Sequence, residues 1–193
     1  MVITLQRRQQ YLGLSDMDMS NRVSELAMDF AKHSHSCGQS TVAAFYEVFV
    51  MDDSVVRVAS SSCGGQARQM MGTCGALIGG SIVIDYFFGR PVEEMSHQGG
   101  INAQFENYIK GMDLVQLLYR QFIQVYGAIH CALLNQKFYG RIYWLADEEE
   151  LAKQGKAAET CSPNCFELIG ESAKWVMDII LAESKSYVPG SRP

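Results

Sequence analysis

The chain has 193 residues, 48% of them hydrophobic and 19% charged, with a net charge of −5 at pH 7, which suits one domain with a filled core rather than two. The acidic balance, with no lysine or arginine cluster, excludes an ordinary nucleic-acid binder. Met1 to Leu5 is too short for a secretory h-region, and the longest apolar run, Ala76 to Phe88, is broken by Asp85 and at roughly 13 residues falls short of a membrane span.

These properties predict a cytoplasmic protein with neither a membrane nor nucleic acid as partner. Along the chain they predict an N-terminal extension (1–19), a helical domain (20–183) and a loose tail (184–193). Val23, Leu26, Ala27, Phe30 and Ala31 recur at helical spacing, with Ser20 or Asn21 as the cap. Val42, Phe45, Tyr46 and Phe49 mark a second helix, and Asp52, Asp53 and Ser54 turn into a short third that runs through Val58.

A glycine-rich stretch from Cys63 to Gly72 leads into the segment Cys74 to Phe88, which is apolar nearly all round, as in a helix enclosed by others. Gly75 and Gly79 lie one turn apart on it, so a neighbouring backbone or a bulky cofactor could approach closely there. Ile82, Val83 and Ile84 are β-branched, which makes a buried strand the competing reading; the helical pattern on both sides favours helix.

Gly89, Pro91, Gly99 and Gly100 bracket a loop. A long helix follows, with Phe105, Tyr108, Met112, Val115, Tyr119, Phe122 and Tyr126 at near-heptad spacing, a stripe read as core. Gly127 closes it. Ala128 to Leu134 is a further short helix or turn, and the acidic run Asp147 to Glu150 begins a small helix. Ser162, Pro163 and Asn164 start a final helix with the stripe Ile169, Ala173, Val176 and Ile180. The fold class expected is an all-α, single-domain bundle of about five to seven helices around the central apolar, glycine-containing helix.

Six cysteines in a reducing compartment point to metal binding or redox chemistry rather than a disulfide framework. Four share one local setting. Cys37 lies just ahead of the second helix, Cys74 opens the central one, Cys131 begins the piece after Gly127, and Cys165 is in the first turn of the last helix. A helix start carries partial positive charge and unpaired N–H groups, which favour a thiolate or an anionic metal–thiolate centre. Four such starts suggest helices aimed at one point. No CxxC pair, ferredoxin run or haem-attachment motif is present, so the four can meet only through the bundle.

The order cysteine, Cys74-Gly75-Ala76-Leu77-Ile78-Gly79, cysteine, cysteine resembles the redox-active protein family known by its C, GCAxxG, C, C signature. Gly72 before the motif, Gly89-Arg90 after it, and Phe122, Tyr126, Gly127 and Ile129 ahead of Cys131 extend the likeness, which covers roughly Ser20 to Glu183. The resemblance implies redox activity. A similar domain of split-Soret type cytochromes is associated with an iron–sulfur centre.

The leading expectation is an iron–sulfur cluster, [2Fe–2S] ahead of [4Fe–4S], held by Cys37, Cys74, Cys131 and Cys165, with Gly75 and Gly79 allowing close approach. Four thiolates leave no open coordination position, so electron transfer to a redox partner protein fits better than substrate conversion. A homodimer would help cover a helix apolar on nearly all sides. The runner-up is a metal-free thiol–disulfide protein using two of the cysteines; a third reading is zinc on the same four, in a structural role. Cys63 and Cys161 are extra to the pattern; Cys63 reads as a fifth thiol near the centre or, in preference, as an ordinary buried residue. His33 and His35 read as solvated loop, His130 as surface or a residue behind the ligands, and His97 carries no signal.

Overall fold

The structure, a computed structural model, describes residues 5–95 and 105–186. Among them are eight α-helices and no strand: α1 (Asp16–Ser34), α2 (Cys37–Val48), α3 (Ser54–Val58), α4 (Gly75–Phe88), α5 (Phe105–Tyr126), α6 (Cys131–Tyr139), α7 (Glu148–Thr160) and α8 (Cys165–Ser186). The expected all-α bundle is thus observed, and the strand reading of Ile82 to Ile84 falls away. None of these helices is long and apolar enough to cross a membrane. The expected loop glycines Gly99 and Gly100, His97 and the end of the tail lie outside the described residues.

The first helix starts earlier than its apolar stripe suggests. Ser15, not Ser20 or Asn21, is the cap, its Oγ accepting from the Asp18 N–H at 3.2 Å, and Asp16 and Asp18 complement the helix dipole. Ser20 is instead buried and donates to Asp178 of α8. Met19, Val23, Ala27 and Ala31 lie along the buried face, and α1 packs on α8 and α2. The segment before α1 also docks on the bundle. Arg8 N–H donates to Val48 O, Val50 N–H donates to Gln6 O, and Tyr11 is buried in the core.

The central helix is α4, which packs against α2, α5 and α8. Its glycines mark the close crossings. A Cβ on Gly79 would lie 2.6 Å from the Gly38 carbonyl of α2, and one on Gly80 would meet Leu118 of α5 and Val176 of α8. On α5 the buried stripe is Leu114, Leu118, Phe122 and Tyr126, while Tyr108 and Met112 are exposed. The crossing with α4 is made at Gly111, against Asp85 and Gly89, which turns the stripe away from the larger neighbours of that glycine.

Helices α6 and α7 form a smaller unit around Met70, Cys131, Tyr143 and Leu145. The acidic run is the first turn of α7, capped by Asp147 Oδ1, which accepts from Glu149 and Glu150 N–H at 2.9 and 3.0 Å. Ahead of α8, Asn164 Oδ1 accepts from Phe166 and Glu167 N–H, and Glu167 accepts in return from Asn164 N–H at 3.2 Å, a reciprocal cap.

Candidate functional site

All four expected cysteines stand at helix starts. Cys37, Cys131 and Cys165 are the first residues of α2, α6 and α8, and Cys74 is the residue that caps α4. Short backbone links gather these starts. Cys74 N–H donates to Ile129 O at 2.7 Å and Cys131 N–H to Gly72 O at 3.0 Å, across an isolated bridge between Thr73 and His130. Gly38 N–H donates to Ser62 O at 2.9 Å, and Cys165 N–H to the Tyr139 hydroxyl at 2.9 Å.

The approach at Gly75 and Gly79 is made by protein backbone. A Cβ on Gly75 would lie 2.1 Å from Ser62 O and 2.8 Å from Cys37 Cβ. Gly75 therefore lets the start of α4 sit directly against Cys37, and Gly79 continues that contact one turn on.

Five thiols, not four, act on one another. Cys63, for which the sequence left a fifth thiol near the centre as an alternative, adjoins Cys37 through the Gly38 to Ser62 backbone hydrogen bond, and its charge is felt at Cys37, Cys74, Cys131 and Cys165. Its Sγ is also 3.2 Å from the His35 carbonyl oxygen. Cys161 lies past the end of α7, where its charge is felt at Tyr139. Cys165 rather than Cys161 joins the group.

The ionisation of these thiols follows from contact, burial and mutual repulsion. The hydrogen bond from Cys37 lowers Cys63 to about 6, aided by Arg68 and opposed by burial, while the same contact drives Cys37 well above the ordinary thiol range. Burial, with the charge of Cys165, pushes Cys74 up to about 12, against the pull of the Ala76 and Leu77 N–H groups at the α4 start. Burial raises Cys165 to about 11, with the Tyr139 hydroxyl opposing, and raises Cys131 further still, with Cys74, Cys165 and Cys63 adding to it.

Other side chains frame the thiols. Cys131 Sγ lies 3.8 Å from the buried Met70 thioether, and Asn135 Nδ2 is 4.0 Å from Cys165 Sγ, while Asn135 Oδ1 is buried without a partner. The histidines stand aside. His33 is exposed in the last turn of α1, His35 is the left-handed residue that ends α1, and the exposed His130 caps α6. Among the described residues no group of three or more His, Cys, Asp or Glu side chains is gathered closely enough to hold a single metal ion.

Cys63 sits at the entrance of an unusual turn. Gly64, Gly65, Gln66, Ala67 and Arg68 all have positive φ (57°, 66°, 72°, 48° and 62°), as does Met70 at 62°. A left-handed turn strains each non-glycine residue by about 1–2 kcal/mol. Backbone hydrogen bonds hold it: Ala67 N–H to Ser61 O at 2.7 Å, Arg68 N–H to Cys63 O at 2.9 Å and Met70 N–H to Gly64 O at 2.7 Å. Strain of this kind persists where the surroundings over-determine the backbone, and here the turn fixes both Cys63 and Met70. In the sequence only Gly64 and Gly65 hinted at it, because Gln66, Ala67 and Arg68 are ordinary helix formers.

No curated protein and no solved structure matches the chain. A family model matches residues 35–179, a stretch that carries Cys37, the Cys74 to Gly79 motif, Cys131 and Cys165. The chain belongs to the family described as Putative redox-active protein (C_GCAxxG_C_C).

Proposed function

We propose that this redox-active chain holds an iron–sulfur cluster, [2Fe–2S] in preference to [4Fe–4S], on Cys37, Cys74, Cys131 and Cys165, and passes electrons through it to a partner protein. The observation that carries the reading is the meeting of buried or half-buried thiols from the starts of α2, α4, α6 and α8, where each thiolate disfavours the next. Repulsion among thiolates is what bound cations reverse, since a coordinating thiol is deprotonated outright. A bound cluster supplies one-electron chemistry at a potential set by its surroundings.

The chain's own residues supply those surroundings. The Ala76 and Leu77 N–H groups favour the anionic form of Cys74, and Tyr139 and Asn135 offer donors to Cys165. Burial of Leu77, Met70 and Leu134 nearby keeps water away, and fewer solvent dipoles strengthen every hydrogen bond to sulfur.

The test is purification without oxygen, followed by a visible spectrum and assays for iron, sulfide and zinc. A brown protein with iron and sulfide at about two each per chain is expected for [2Fe–2S]. Cys37→Ser, Cys74→Ser, Cys131→Ser and Cys165→Ser should each lose the colour, and Cys63→Ser should keep most of it. Retention in any one of the first four removes that residue from the ligand set. A colourless, iron-free chain defeats the reading, in favour of a structural site if it carries one zinc.

A further inference from the structure

We propose that Cys63 and Cys37 are a dithiol couple that closes to a disulfide when the chain, without a cluster, meets hydrogen peroxide. The consequence for cluster loading rests on the reading of Cys37 as a ligand; the pairing itself does not.

Geometry selects the pair. The residues beside the two cysteines are joined by the Gly38 N–H to Ser62 O hydrogen bond of 2.9 Å, which sets Cys37 and Cys63 side by side on adjoining backbone. Two of the remaining thiols have other neighbours: Cys131 faces the Met70 thioether at 3.8 Å, and Cys165 faces Asn135 and Tyr139. Neither cysteine of the pair is free to swing away. Cys63 N–H donates to Ser61 O at 2.9 Å, and Cys63 O accepts from Arg68 N–H at 2.9 Å within the left-handed turn. Cys37 Cβ is pressed against Gly75, where an added methyl would stand 2.8 Å from it.

Cys63 is 8% exposed, which admits a compact oxidant and shuts out a bulky disulfide. The Cys63 sulfur attacks one oxygen of hydrogen peroxide, the O–O bond breaks, and the thiol proton goes to the departing oxygen, so that a sulfenic acid forms and water leaves. The Cys37 sulfur then attacks the Cys63 sulfur, the S–O bond breaks, and a second water leaves. Two thiols lose two electrons and two protons, and one peroxide becomes two waters. The disulfide withdraws Cys37, so the oxidised chain lacks a ligand until a dithiol reduces it.

Peptide mapping tests this directly. Trypsin places Cys37 on 33–57, Cys63 on 58–68, Cys74 on 69–110, Cys131 on 121–137, and Cys161 with Cys165 on 157–174. The cluster-free chain is reduced, freed of reductant, given one equivalent of hydrogen peroxide, alkylated and digested. The expected product is 33–57 linked to 58–68, reversed by dithiothreitol and absent in Cys63→Ser. Cys63 recovered in alkylated form, or linked to any other peptide, overturns the proposal. On the same samples, iron and sulfide loading should fall several-fold after peroxide and return after dithiothreitol; unchanged loading with the link present overturns the gating role. A reduced chain that takes up no iron at all defeats the cluster reading, and the linked peptide still decides the dithiol.

Discussion

At two positions the same methyl group should act in opposite directions. On Gly75 it would stand 2.1 Å from the Ser62 carbonyl oxygen, a backbone atom that cannot move without shifting the Cys63 turn. Gly75→Ala should therefore lose about 1–3 kcal/mol of unfolding free energy, in the range of other overpacked sites. At Ala67 the methyl already present holds a residue at φ 48°, where glycine is unstrained. Ala67→Gly should gain up to about 1 kcal/mol, the relieved strain exceeding the extra chain entropy of glycine. Urea denaturation of both variants checks the signs. A loss at Ala67→Gly as large as that at Gly75→Ala would mean the left-handed turn is not the strained element described.

At the scale of elements, the helices that build the core were legible because each displays an apolar stripe at helical spacing, as Val23 to Ala31 and Ile169 to Ile180 do. The placing of four cysteines at helix starts was legible for the same reason: a periodic run has a visible beginning. Where a stripe was absent or ambiguous the reading slipped. Helix α7 buries little beyond Gln154 and Ala158, so only its acidic first turn announced it. On α5, residue type drew attention to Tyr108 and Met112, whereas the crossing is decided by Gly111, whose small size is invisible to a hydropathy pattern. Cys63 was the least legible thiol because it begins no helix; it comes beside Cys37 through a turn that no local propensity favours. The thin burial of α7 carries a prediction. Local opening free energy follows the apolar contacts an element makes, so amides of α7 should exchange with deuterium well before those of α1, α4 and α8. Equal protection across these four helices would show that α7 opens only with the whole bundle.

For the molecule as a whole, the thiols make stability a function of pH in a way that depends on cluster occupancy. In the unfolded chain each thiol ionises near ~8.5. In the folded, cluster-free chain Cys74 is raised to about 12, Cys165 to about 11 and Cys131 higher still, chiefly by burial, and Cys37 is raised well above the thiol range by Cys63 and burial. A raised folded value gives stability that is complete below the unfolded value and is lost as pH climbs through the folded one. Each such thiol lowers the unfolding free energy by about 1.4 kcal/mol per pH unit in that window, about 5.5 kcal/mol per unit for the four together. Cys63 runs the other way. Its folded value of about 6 lies below the unfolded one, so its stabilisation is present above ~8.5 and fades as pH falls through 6. The reduced, cluster-free chain should thus show a stability maximum near pH ~8.5 with a shallow acid limb and a steep alkaline one. Urea titrations under argon, with reductant and chelator, measure it. Cys63→Ser should flatten the acid limb, and Cys74→Ala should reduce the alkaline slope by about a quarter. With iron and sulfide bound, the ligating thiolates are ionised in the folded state, so the steep alkaline limb should disappear. A flat profile from pH 8.5 to 10.5 in the reduced, cluster-free chain would mean that the buried thiols ionise as freely in the fold as in water, and the electrostatic case for a site built to receive cations would go with it.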